Sequence, residues 1–286
     1  MSLPAPQNTP ELLRRLGKSL ERLRVLIIDR NSGARNSLRI ILSTLGITAI
    51  HNAATSAEVL RLVKAYEFDI VFADYVLDDG RDGQQLLEEL RQKQLISLST
   101  VYMLITAERA YRNVVSVAEL TPDDYLIKPF TADLLEARLI RALYKKQFFE
   151  RVFRHLDNGA FADALAACET LPGRDEQFLP DVRRQKGAIL NALGRHEEAQ
   201  AVYRQALGLT TAPWVRMGLA AALRGLDDLA EAENIGSALI SEFPEYLAAY
   251  DFVASVCEEQ GKLAKAQEIL QKAAAISPNN SLRQRM

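Results

Sequence analysis

Up to about residue 128 the chain alternates between short, continuously apolar runs and stretches with helical periodicity. The runs lie at 24–29 (RVLIID), 48–51, 69–74 (DIVFAD), 100–106 (TVYMLIT) and 125–128. They are too evenly apolar for strands with one wet face, so they predict a parallel sheet covered on both sides. Helical stretches separate them at 35–45, 57–66, 84–94, more weakly at 109–119, and from 131 onward. Five βα units in series predict an α/β, doubly wound, five-stranded parallel sheet. Its binding crevice lies beyond the carboxyl ends of the strands.

After residue 131 the strand signals stop and Ala-rich helices take over. A Gly with an Ala five positions later recurs as Gly159/Ala164, Gly194/Ala199, Gly225/Ala230 and Gly261/Ala266, with the glycines 35, 31 and 36 residues apart. A near-constant period of this size predicts stacked helical hairpins, about four of them. No Pro or Gly interrupts 131–158, so one helix is expected to run from the sheet domain straight into the hairpins. The expected division is an N-terminal extension, partly helical, at 1–22, the α/β domain at 23–146 and an all-α repeat domain at 147–286. In the extension, Leu12, Leu13, Leu16, Leu20 and Leu23 share one helical face. Packing on the chain's own body, a homodimer contact and disorder all stay open for it.

Composition narrows the function. The 286 residues are 48% hydrophobic and 25% charged, ordinary for a soluble globular chain. No apolar run approaches a bilayer crossing, and the Pro-bearing start lacks a secretory pattern, so a cytoplasmic protein without membrane insertion is expected. A net charge of −2 gives no electrostatic reason to bind nucleic acid. Cys168 and Cys257 read as buried reduced thiols, and three scattered histidines make a His/Cys metal site improbable.

Asp29, Asp74, Thr106 and Lys128 close the first, third, fourth and fifth strands, and a doubly wound sheet gathers them at one rim. Asp74 suits a nucleophile toward phosphorus, giving an acyl phosphate. Charge on the transferring oxygens needs neutralising, usually by Mg²⁺ on one or two carboxylates. Lys128 offers a mobile ammonium and Thr106 a hydroxyl donor. A strand-end aspartate is otherwise a common turn former.

These residues resemble the response-regulator receiver family, a flavodoxin-like fold, in VLIID at 25–29, DIVFAD at 69–74, ITA at 105–107 and YLIKPF at 125–130. The resemblance implies that Asp74 is the phospho-acceptor, with Lys128 and Thr106 assisting. It makes Thr106 and Tyr125 the switch pair, and Asp29, Asp74 and the Val76 main-chain carbonyl the Mg²⁺ ligands. It further implies a cis bond before Pro129 and a sensor histidine kinase or phosphotransfer protein as donor. The protein would then be no enzyme beyond taking up and losing its own phosphoryl group. Two features depart from the family. Arg30 stands where a second acid normally follows Asp29, which should weaken Mg²⁺ binding. The loop YVLDDGRDG is one residue longer than the usual form and lacks its proline, leaving Asp78 or Asp79 as substitute carboxylates. A degenerate receiver serving as a constitutive protein-binding scaffold is the competing reading; control of transcription through DNA is disfavoured by net charge and by the lack of a helix-turn-helix tail.

The second half resembles tetratricopeptide repeats, which implies a protein or peptide partner. Trp214, Met217, Gly218, Ala221 and Ala230 fit the pattern as core residues. So do Gly187, Leu190, Ala199, Tyr203 and Ala206, and Tyr250, Val253, Ala254, Cys257, Ala266, Leu270, Ala273 and Pro278; Phe148, Val152, His155, Ala164 and Cys168 form a degenerate first unit. Arg183, Arg184, Asn191 and Arg216 are the candidates for gripping a carboxylate-bearing peptide, against the plainer reading of a solvated helix face.

Overall fold

The computed structural model describes Leu12 and residues 20–77, 82–107, 122–171 and 176–276. The weak helix at 109–119, Asp78, Asp79, Pro278 and, of the five N-terminal leucines, Leu13 and Leu16 lie outside these residues. Leu12 and Leu23 are buried.

The first compact unit closes at Asn158 and the second runs on from Gly159. In the first, β1 (Arg24–Ile28), β2 (Ala49–Ala53), β3 (Ile70–Asp74), β4 (Val101–Thr106) and β5 (Asp124–Ile127) form one parallel sheet in the order β2-β1-β3-β4-β5. All six residues of β4 are buried, whereas β2 and β5, at the edges, keep partly exposed positions. Continuous apolar runs thus mark strands covered on both faces. Helices α1 (Ser32–Thr44), α2 (Ser56–Ala65), α3 (Gly83–Gln92) and α4 (Ala132–Phe148) each start on a side-chain cap, Asn31, Thr55, Asp82 and Thr131 respectively. Each cap oxygen takes a backbone N–H of the first turn and thereby sets where the chain turns from strand rim to helix.

The expected uninterrupted helix is bent. α4 ends at Phe148, Phe149 sits at φ −93° and ψ 5°, and α5 (Glu150–Asp157) follows. The backbone ladder nearly spans the bend, through Phe149 N–H to Lys145 at 3.1 Å and Phe153 N–H to Phe149 at 2.9 Å. Packing bends it without a breaker residue: Phe149 is fully buried, with its ring against those of Phe148 and Phe153. α5 therefore belongs to the first unit, which extends past Lys146.

The second unit contains α6 (Phe161–Glu169), α7 (Leu179–Ala192), α8 (His196–Leu207), α9 (Pro213–Gly225), α10 (Leu229–Glu242), α11 (Leu247–Glu259) and α12 (Leu263–Ile276). Tyr203 of α8 is wedged between Gly187 of α7 and Gly218 of α9, with no room for a Cβ at either. Glycine here permits close approach of neighbouring hairpins.

The third hairpin corrects the expected register. Trp214, Met217, Gly218 and Ala221 are only half-buried and Ala230 is exposed. The buried positions are Leu219, Ala220, Leu223, Ala232 and Leu239. The reason lies in the turn. Gly159, Gly194 and Gly261 have φ of +70°, +72° and +74°, and in the third hairpin the left-handed place belongs to Asp227, at +63°. Gly225 is instead the last residue of α9, close against the His196 ring. Counted at 159, 194, 227 and 261, the steps become 35, 33 and 34 residues.

Candidate functional site

Sheet topology carries the four rim residues together. β3 lies between β1 and β4, and β4 beside β5. Asp74 closes β3 opposite Ile105, Thr106 closes β4 opposite Ile127, and Asp29 and Lys128 are the first residues past β1 and β5. The backbone fastens both junctions: Asp29 N–H donates to Ala53 and Lys128 N–H to Thr106, at 3.2 and 2.7 Å. The Lys128–Pro129 peptide is cis, as expected.

At the centre, Nζ of Lys128 stands 2.9 Å from Oδ2 of Asp29 and 2.9 Å from Oδ2 of Asp74. Asp29 is buried, Asp74 mostly so, and Lys128 about one-third exposed. Burial pushes the Asp74 carboxyl above its ordinary range; Lys128 opposes this and the neighbouring Asp29 charge adds to it. For Lys128, burial works against the charge, but hydrogen bonds and attraction from Asp29 and Asp74 outweigh it and raise the pKa. Thr106 is buried at the end of β4. Tyr125 is half-buried and packs on the sheet core.

Three residues that the sequence reading passed over shape the site. Asn31 donates its N–H to Oδ1 of Asp29 at 2.7 Å, and Arg35 gives a guanidinium N–H to the Asp29 carbonyl. Gly83 is forced by space: a Cβ there would lie 2.5 Å from the Asp74 carbonyl oxygen. Asn31 could have been found as the cap of α1 and Gly83 by the Asp-Gly pair opening α3; nothing local marks Arg35.

Among the described residues no cluster of three or more His, Cys, Asp or Glu side chains could hold a metal. Two carboxylates do converge, since Asp29 and Asp74 share one ammonium, and such a pair fits a divalent cation as a sparse donor set. Arg30, beside Asp29, is exposed and brings charge of the wrong sign.

Three of the four candidate partner residues of the repeats make contacts within the repeats themselves. Arg184 stacks over the Trp214 ring at 5.7 Å, and Asn191 donates to the Gly218 carbonyl at 3.1 Å, so both face α9 from α7. Arg216 pairs with Glu242 at 2.6 Å within its own hairpin and lies over Phe243. Arg183 is half-buried. No helix among the described residues is long and apolar enough to cross a membrane.

Comparison with known proteins accords with this arrangement. The family model for the response regulator receiver domain matches residues 25–140, and that for the tetratricopeptide repeat matches 185–212 and 247–280. Chemotaxis protein CheY-3 of Vibrio cholerae serotype O1 is 30% identical over 117 residues, 41% of this chain and 88% of that protein. The probable transcriptional regulator ycf27 of Cyanidium caldarium is 29% identical over 134 residues, 47% of this chain and 51% of its own. A solved signal receiver domain of an HD domain-containing protein from Pseudomonas fluorescens Pf-5 is 27% identical, covering 44% of this chain and 98% of its own at a TM-score of 0.40. The chain belongs to the response regulator receiver family, its receiver domain fused to tetratricopeptide repeats.

Proposed function

We propose that Asp74 accepts a phosphoryl group from a histidine kinase or phosphotransfer protein and that this controls protein binding by the repeats. One observation carries the reading: the Asp74 carboxylate lies at the strand rim, beside Asp29, on the ammonium of Lys128. In the transfer a carboxylate oxygen of Asp74 forms a bond to phosphorus while the donor's P–N bond breaks, leaving an acyl phosphate. Lys128, freed from one carboxylate, follows the charge onto a phosphoryl oxygen, and the Thr106 hydroxyl donates to another. Asp29, held through Oδ1 by Asn31 and through its carbonyl by Arg35, keeps its place throughout. Mg²⁺ on Asp29, Asp74 and the Val76 carbonyl would neutralise charge on the transferring oxygens.

The constitutive-scaffold reading draws on Arg30, which replaces a metal carboxylate with a cation. Incubation with Mg²⁺ and acetyl phosphate, followed by peptide mass mapping, decides between the two. Label on the peptide carrying Asp74 supports phospho-acceptance. A protein that stays unlabelled at millimolar donor supports the scaffold.

A further inference from the structure

Helix α3 is held at both ends. At its start, Gly83 N–H donates to the Tyr75 carbonyl at 2.8 Å and the buried Tyr102 hydroxyl donates to the Gly83 carbonyl at 2.8 Å. No side chain fits between Gly83 and the backbone of Asp74. At its end, the Arg91 guanidinium donates to the carbonyls of Ser97 and of Thr100, the latter at 2.9 Å, and so grips the 95–100 loop from the α3 side.

The same loop is also gripped by residues of α4 and α5. The Asp157 carboxylate accepts the Ser97 hydroxyl at 2.6 Å and the Leu98 N–H at 3.1 Å. The Leu98 carbonyl accepts from Lys146 at 2.7 Å, and Lys146 also pairs with Asp123 at 2.8 Å. Asp123 takes the Tyr102 N–H at 2.8 Å, which closes the network back onto β4. Both polar groups of the Leu98 peptide are therefore committed to α4 and α5. Asp157 is the last residue of α5, and Gly159, where the second unit begins, follows within two residues.

We infer that α5 is latched to the base of the receiver sheet through Asp157, with α3 and the 95–100 loop forming the strut that carries a displacement at Asp74 to this latch. The bend at Phe149 makes α4 a poor rod for that purpose, whereas every junction of the strut is a short hydrogen bond or a close backbone approach. A packed element fixed at both ends shifts as a body. Choosing Asp74 as the origin rests on the proposed phospho-acceptance; the latch itself does not.

Hydrogen exchange on the full chain tests this without a phosphodonor, so its failure is separable from failure of Asp74 as acceptor. Asp157→Asn removes the latch charge at the far end, and exchange in residues 150–157 is expected to rise about tenfold while β1 and β3 stay protected. Gly83→Ala pushes α3 at the near end, and the same distant segment, 150–157, is expected to respond along with 95–100. Tyr102→Phe, which removes the hydroxyl held by the Gly83 carbonyl, is the milder near-end variant should Gly83→Ala fail to fold. It is expected to give a smaller rise in the same segment, a response confined to residues 70–92 again overturning the strut. Unchanged exchange at 150–157 in Asp157→Asn overturns the latch. A Gly83→Ala response confined to residues 70–92 overturns the strut.

Discussion

Asp227 occupies, at a φ of +63°, the place in its hairpin that Gly261 occupies in the next at +74°. A non-glycine residue there carries strain that glycine escapes, although Asp bears it better than most. Asp227→Gly is therefore expected to raise the stability of the repeat unit by about 0.5–1 kcal/mol. Gly261→Ala is expected to lower it by about as much or more. Urea midpoints of the two variants against the parent check both signs.

Asp74 is expected to be dispensable for folding and indispensable for labelling. Asp74→Asn keeps the shape beside Lys128 while removing the nucleophilic charge. Intact mass after acetyl phosphate treatment should show label on the parent and none on the variant, with unchanged circular dichroism. Equal labelling of both would move the acceptor elsewhere.

Arg30 places a cation next to one of the two carboxylates proposed to hold Mg²⁺. Arg30→Asp is expected to tighten Mg²⁺ about tenfold, or about 1.4 kcal/mol. Calorimetric titration of the full chain reads this directly, and identical affinities would mean that the guanidinium stays clear of the site.

Glu233 on α10 is buried and takes Lys262 at 2.7 Å and Lys265 at 2.5 Å, which hold its pKa down to about 2. Because the folded value lies below the unfolded one, the stabilisation is complete above the ordinary carboxyl range near 4.5 and fades as pH falls toward 2. Glu233→Gln should cost about 1 kcal/mol at pH 7, both lysine heads being half-exposed. The gap between parent and variant is expected to close on acidification, as read by thermal melts from pH 6 to 2.5. A constant gap would assign the effect to packing.

Much of the receiver was legible because its strands are buried on both faces. RVLII, IVFAD and VYMLIT could be read directly as strands, and the rim at their ends holds Asp29 and Asp74, which Lys128 ties together. The third hairpin was misread for an equally physical reason. Trp214 and Gly225 look like pattern residues, but the left-handed turn fell to Asp227, a residue type that signals such a turn only weakly. The bend at Phe149 carried no signal at all, since it comes from where three phenyl rings pack. Nor could local sequence reveal that Asp157 reaches Leu98, a contact made across 59 positions of chain.

The repeated left-handed turns at 159, 194, 227 and 261 bear on how such a chain can change over generations. The turns at 194, 227 and 261 each close one hairpin in the same backbone conformation, and each hairpin buries its small residues mainly against adjacent ones. Duplication or loss of a segment between two such turns, 195–227 for example, would rejoin matching backbone to matching backbone. The repeat half can thus be lengthened or shortened in whole units while the aspartate-bearing half is inherited unchanged.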